Sequence, residues 1–408
     1  MTIILIFVSL AWGLFAWKKP TNAVLWFPIL LPTYVLRGNI GPFPTTLLEL
    51  TLLAMLLGVT IAQGKTVWLS GLKKIKPWFV PVLFWVAVTV LSIFVAPNHI
   101  AALGLWRAYV LEPLLYFILL KATLRHEEDR RVLVRSLVII MTIVAVWAIF
   151  QFVTNIGIPH PWDVEILKRR ATGPFPFPNA LSLFAAPIAA LCFGTAAFVK
   201  KDAVSAKDLR LSWIGFAAGL IATLLAKSVG GTLAILTAVF VTLIWKKRTR
   251  FLTLIATGIT VITILLIPTL RTPIIHNLSF QDWSGKVRLI IWNESWNMLK
   301  DRPIFGAGLG AYPEVIKPYH KATFIEIFQY PHNIILNLWS ETGLLGILAF
   351  ALIIITWFRL SLKPASSLTV HRSLFILPLI AILIQGLVDV PYFKNDLAIL
   401  FWIFAALI

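Results

Sequence analysis

The sequence predicts an all-α polytopic membrane protein of about 12 transmembrane helices (11–13), and three observations predict it. Apolar residues make up 59% of the 408 residues and charged residues 13%, against about 45–50% and about 25% in soluble domains. Mean hydropathy is +0.88. Thirteen apolar runs approach the roughly 20 residues that a helix needs to cross about 30 Å of hydrocarbon. This composition excludes disorder and an ordinary cytosolic enzyme. The single Cys192 excludes an intrachain disulfide and a multi-thiolate metal site.

The runs follow in order. Those at 3–17, 22–36, 44–63, 77–96, 100–120 and 132–154 form an N-terminal set within residues 1–154. The charges of the first run follow its apolar residues, so it reads as a membrane segment and not as a cleavable signal. Runs at 179–199, 211–226, 230–245 and 251–268 lie in a central region, 155–268, which opens with an outward basic loop, 155–178. A large extracytoplasmic loop, 269–330, leads to runs at 333–358, 373–388 and 396–408 within 331–408. All of 1–408 is expected to form one integral membrane domain.

Loop charge sets an orientation. Alternating the loops leaves 22 Lys and Arg with five acids on one side, and 13 with ten acids on the other. The richer side is cytoplasmic by the positive-inside rule. The net charge of +19 therefore points to membrane lipid and away from nucleic acid. Trp17, Trp68, Trp78, Trp213, Trp245 and Trp357 sit at span ends, as an interfacial belt does. Arg107 and Glu112 lie five apart, about 140° round an α-helix, so each is expected to meet another helix.

Chemistry is expected on the outward side. Long loops in compact proteins are functional or disordered, and the Trp- and Ile-rich 269–330 loop reads as ordered. Within it, Val287 to Lys300 forms an amphipathic helix stopped at Asp301-Arg302-Pro303. Leu289, Ile291, Trp292, Trp296, Met298 and Leu299 share its apolar face, while Asn293, Glu294, Asn297, Lys300 and Asp301 face solvent. Arg288 is the one charge on the apolar face. It either snorkels toward headgroups or enters a buried anion site.

The stretch PIFGAGLGAY is neither GxxxxGK[ST] nor GxGxxG, and reads as a tight turn. Pro331 reads as the first residue of the next helix, with His332 in its first turn, where the helix dipole favours a neutral imidazole that can accept a proton. Asn333, Asn337, Ser340 and Glu341 form a polar stripe along that helix. Lys168-Arg169-Arg170 is either a solvated loop or a basic cluster placed against the positive-inside trend. Arg170, Lys227, Arg288 and His332 thus converge on one side of the membrane. No HExxH, CxxC or paired His occurs, so neither metal nor cofactor is expected.

With these residues in hand, the chain resembles the O-antigen ligase and O-antigen polymerase superfamily of bacterial membrane glycosyltransferases. The resemblance runs over about residues 165–405, through RRATGPFPFPNALSLFAAP, AKSVGGTLAI, VRLIIWNESWNMLKDRPIFGAGLGAY, YPHNIILNLWSETGLLGILAF and QGLVDVPYFKNDLAILFWIF. It implies a GT-C-like, metal-independent and inverting enzyme of the bacterial cytoplasmic membrane, with its site facing the periplasm or cell exterior. Such an enzyme moves a glycan from a polyprenyl (undecaprenyl) diphosphate donor to a hydroxyl of a lipid, glycan or protein acceptor.

Arg170 and Arg288 match the family's arginines and His332 its histidine, the general base. Glu341 and Asp389 fall in its later motifs, and Arg169, Lys227 and Asn333 complete the expected substrate-binding set. The family's Ser-Arg-Gly is here Ser228-Val229-Gly230, so one guanidinium is missing. A repeat-unit polymerase or a protein O-oligosaccharyltransferase shares these motifs. A lipid-linked glycan transporter is the reading from another class, and it calls for an internal repeat that the sequence does not display.

Overall fold

The computed structural model describes residues 2–41, 43–198, 205–363 and 372–408, so Lys200 and Lys201 of the basic loop lie outside the described residues. The chain is largely α-helical, with a two-stranded hairpin, Arg37–Ile40 paired antiparallel with Phe43–Thr46. Among the described residues, seven helices are long and apolar enough to cross a membrane. They are Lys76–Val95, His99–Thr123, Glu127–Thr154, Pro178–Phe198, Ala206–Leu225, Lys247–Leu266 and Ile334–Ser361. An eighth arises if Leu47–Gln63 and Lys65–Lys74, bent by 106°, make one span.

The expectation of about 12 spans is therefore too high, and the reasons are local. The run at 22–36 breaks into a short helix, Pro20–Trp26, and a 3-10 stretch, Phe27–Val35, that contains Pro28 and Pro32, which cannot donate backbone hydrogen bonds. Thr2–Lys18 and Val229–Trp245 have 17 residues each, about 26 Å at 1.5 Å per residue. Ile376–Gly386 and Asn395–Leu407 are shorter still. Residues 396–407 of the last helix are all buried, and an all-round apolar helix inside a protein has the same hydropathy as one in lipid.

Two further expectations are corrected. Trp78 and Trp357 are 1% and 0% exposed and pack edge to face, with Trp357 Nε1 donating to Phe375 O at 3.0 Å. They belong to the core and not to an interfacial belt. Arg107 and Glu112 do pair, at 3.2 Å. Residues 107–111 form a π-helical turn, whose i→i+5 bonding brings residues five apart onto one face. Arg107 also reaches Glu49 at 2.9 Å.

The Gly-rich stretch is the tight turn its sequence suggests: Gly306, Gly308 and Gly310 all have positive φ. It fills a break in Ile334–Ser361, where Gly343 adopts φ 70° and ψ −176°. Two backbone groups freed there bond the incoming chain, Ala307 N to Ser340 O at 2.7 Å and Leu344 N to Ile304 O at 3.0 Å. A Cβ on Gly343 would lie 2.0 Å from Ile304 O. Gly343→Ala is therefore expected to cost about 1–3 kcal/mol or more, read as a lowered thermal unfolding midpoint in detergent.

Candidate active site

The loop after Glu127–Thr154 is held by one buried side chain. Gln151 Nε2 donates to Gly157 O (2.8 Å) and Gly173 O (2.9 Å), and its Oε1 accepts from Thr172 N (3.1 Å) and Gly173 N (2.7 Å). Arg169 turns back to brace this loop, donating to Phe152 O at 2.6 Å and Val164 O at 3.0 Å. Arg170 turns the other way. Its Nε donates to Ala226 O (2.8 Å) and its Nη2 to Asn179 Oδ1 (2.9 Å). Burial and then the like charge of Arg288 pull its pKa down, opposed by Asp389.

Arg288 stands on the helix Trp283–Asp301. Its Nε donates to Val388 O at 2.9 Å, and its Nη1 to Ser284 Oγ at 2.7 Å and Ser284 O at 3.3 Å. The guanidinium is thus pinned across to the 387–394 turn. The helix itself is rotated from its expected face. Ile291, Glu294, Ser295, Met298 and Leu299 are buried, while Leu289 and Trp296 are each 46% exposed.

Glu294, expected in solvent, is instead buried beneath residues 320–322. It accepts from Lys321 N (2.9 Å) and Ala322 N (3.2 Å) and bonds His320 Nδ1 (3.0 Å). The Glu294 hydrogen bond holds the His320 pKa above its ordinary value, against the opposing effect of desolvation. A raised folded-state pKa means that this clamp stabilises fully below about pH 6.5 and is lost as pH rises through the raised value. The thermal unfolding midpoint is expected to fall across that interval, and Glu294→Gln to flatten the profile.

His332 is not in the first helical turn. The helix begins at Ile334, because Asn333 Oδ1 accepts from Ile335 N and Leu336 N, both at 3.0 Å, and so forms the N-cap. Pro331 lies outside it, with its carbonyl accepting from Trp292 Nε1 at 2.9 Å, and His332 takes φ +49°. Its Nδ1 lies 3.3 Å from Asp389 Oδ1, and its ring meets Tyr330 edge-on at 4.9 Å. Asp389 also accepts from Val390 N at 2.9 Å. Burial pushes its carboxyl up, but the His332 hydrogen bond and charge, Lys394 and Val390 N–H outweigh that and hold it below the usual range. An ionised Asp389 favours the Nδ1–H tautomer of neutral His332, which leaves Nε2 as a proton acceptor.

The 387–394 turn is the hub of this cluster, since Asn333 Nδ2 also donates to Leu387 O at 2.9 Å. The structure brings Arg288, His332, Asn333 and Asp389 together around it, while Arg170, bonded to Ala226 and Asn179, feels the charges of Arg288 and Asp389. Lys227 stands at the margin, with φ +48°. Its ammonium bonds Leu167 O and lies 5.9 Å over the Phe152 ring, while burial and Arg170 lower its pKa. Glu341 is set apart: it is 6% exposed and accepts from Gly310 N in the Gly-rich turn. Its neighbours in the polar stripe, Asn337 and Ser340, are buried too, with side-chain polar atoms that have no hydrogen-bond partner among the described residues.

Sequence reasoning passed over Lys394, which lies 6.0 Å over the Tyr330 ring and acts electrostatically on Asp389 and Asp396. Three charges within eight residues of an otherwise apolar tail were the signal. In comparison with known proteins, the O-antigen ligase family matches residues 214–351. No curated protein matches the chain.

Proposed function

From the O-antigen ligase domain that this chain carries over residues 214–351, which supports a glycosyltransferase role, we propose that the protein moves a glycan from a polyprenyl diphosphate to an acceptor hydroxyl. One observation carries this reading. Arg288 bonds a turn whose Asp389 faces the imidazole of His332, and the charges of Arg288 and Asp389 both act on Arg170. Arg170 and Asp389 lie outside the matched span, so their presence in the cluster is independent support.

The chemistry follows from charge. As the bond from the anomeric carbon to the diphosphate breaks, negative charge grows on phosphate oxygens. Guanidinium forks hold such oxygens bidentately and stay charged at any relevant pH. Cations fixed before the reaction stabilise that charge without reorganising. The acceptor oxygen bonds to the anomeric carbon while its proton passes to His332 Nε2, and Asp389 stabilises the imidazolium so formed. Attack opposite the leaving group inverts the anomeric centre. On this reading the enzyme is GT-C-like and works without a metal on the extracytoplasmic face of a bacterial cytoplasmic membrane. Arg169 and Lys227 shape the loop beside the diphosphate, and Asn333 and Glu341 hold the His332 segment and the Gly-rich turn.

The test is transfer in vitro. Purified protein is given a polyprenyl-diphosphate-linked glycan and a panel of lipid, glycan and peptide acceptors, with a metal chelator present. Glycosylated acceptor and free polyprenyl diphosphate in equal amounts are the expected result. Passage of labelled carrier across proteoliposomes, with no product from any acceptor, would contradict it.

A further inference from the structure

At the opposite end of Glu127–Thr154 from the Arg170 loop lies a cleft that the transfer chemistry leaves unused. It opens between the first turns of Glu127–Thr154 and Ala206–Leu225, the last turn of Pro178–Phe198 and the short stretch Arg372–Phe375. Its volume of about 540 Å³ falls within the range of small-ligand sites. Glu127–Thr154 has 28 residues, so its two ends stand about 40 Å apart at 1.5 Å per residue. The loops beside the cleft are among those whose Lys and Arg mark the cytoplasmic side.

The lining changes along the helix. Arg130 and Arg131 stand near its start, Val134 a turn further in, and Val138, 2% exposed, a turn beyond that. Leu211 faces them from Ala206–Leu225. At the floor three helices meet at Gly215, where a Cβ would lie 2.6 Å from Cys192 Sγ and 2.8 Å from Val138 Cγ2. The carboxylates at the mouth are already engaged. Arg135 grips Asp208 through Nε at 2.7 Å and Nη2 at 3.1 Å, and Glu128 through Nη1 at 2.8 Å. Arg131 lies 3.6 Å from Glu128 and Arg130 3.3 Å from Glu127.

Arg130 is satisfied only in part. Its Nη1 meets Glu127, while its Nε is buried with no hydrogen-bond partner among the described residues. The side chain still keeps 18% of its surface exposed, so a ligand in the cleft can reach it. Over residues 125–135 and 205–210, six Lys and Arg stand against four acids, which leaves the mouth positive.

We propose that this cleft binds an anionic membrane phospholipid, its phosphate on Arg130 and Arg131 and an acyl chain against Val134, Val138 and Leu211. Guanidinium forks take phosphate oxygens bidentately, and basic pockets between spanning helices on the cytoplasmic side suit anionic headgroups. A soluble anion has no use for the apolar depth. The ammonium of a zwitterionic lipid finds no carboxylate free of arginine. Trp213, 46% exposed and just beyond Leu211, marks the level of the headgroups. The Arg135–Asp208 clamp fixes the spacing of the two helices, so the site is formed before the lipid arrives.

The test is lipid binding, which needs no transfer activity. The purified full chain, stripped of lipid in an uncharged detergent, is titrated with phosphatidylglycerol, phosphatidylethanolamine or inorganic phosphate, and bound lipid is read by native mass spectrometry. Phosphatidylglycerol is expected to bind more tightly than phosphatidylethanolamine, and phosphate not to displace it. Arg130→Gln combined with Arg131→Gln should weaken phosphatidylglycerol binding by about tenfold or more, the loss that follows from removing hydrogen bonds to a charged group. Lys247→Gln combined with Arg248→Gln, which removes two exposed charges from the same basic side, should leave it nearly unchanged. Equal loss in both double variants, equal binding of the two lipids, or displacement by phosphate overturns the proposal. If the Arg130 and Arg131 variant does not fold, the ranking of headgroups on wild type decides alone.

Discussion

His332→Ala is expected to lower transfer by about 10²–10⁴-fold, the range for losing a positioned general base, with donor KM nearly unchanged. The reason is geometric. His332 reaches the cluster through Nδ1, which faces Asp389 Oδ1 at 3.3 Å, so its other nitrogen is the one free to take a proton. Its ring braces little of the fold, being held edge-on by Tyr330 and Phe328. Added imidazole should restore part of the rate, since the space left is the size of the lost ring. Asp389→Asn should act through the same ring, reducing kcat less than His332→Ala does, because an amide no longer stabilises the imidazolium formed as the proton is taken. Full transfer by His332→Ala, measured with saturating donor and acceptor, would remove the base assignment.

Arg288→Lys is expected to cost about 10²–10³-fold in kcat/KM although the charge is kept. The guanidinium uses Nε to hold Val388 O and Nη1 to hold Ser284, while Nη2 donates to no protein group among the described residues. One planar group thus anchors the 387–394 turn and still offers a donor to a phosphate. An ammonium is a point charge that cannot do both. The loss should therefore appear in donor KM and in kcat together, whereas removing the base leaves donor KM alone. A lysine variant with wild-type kinetics would mean that charge alone matters and that the fork does not.

How much of this was legible in the sequence differs by element. The helix in the large loop was readable, because its periodicity and the Asp301-Arg302-Pro303 stop are local signals, and the structure places it at Trp283–Asp301. Gly306, Gly308 and Gly310 announced a turn for the same reason. The span count was not readable, since an apolar run has the same hydropathy whether protein or lipid surrounds it, and Asn395–Leu407 is enclosed by protein. The Arg107–Glu112 pair was hidden because a π-turn changes the angle per residue.

Glu294 was misread as solvated because its cover comes from residues 320–322, about 26 positions away. Arg170, Lys227, Arg288 and His332 were singled out from loop charge as candidates on one side of the membrane. What joins them could not be read, because Arg288 meets Val388 across 100 residues of sequence.

Arg170 and Arg288 are expected to hold a diphosphate beside His332. A structure of the protein with a non-hydrolysable analogue of the polyprenyl-diphosphate-linked glycan bound shows whether they do. Phosphate oxygens are expected about 2.7–2.9 Å from both guanidinium groups, with the first sugar carbon facing His332 Nε2. A diphosphate seated elsewhere, with Arg170 and Arg288 still bonded only to Ala226, Asn179, Val388 and Ser284, would contradict it.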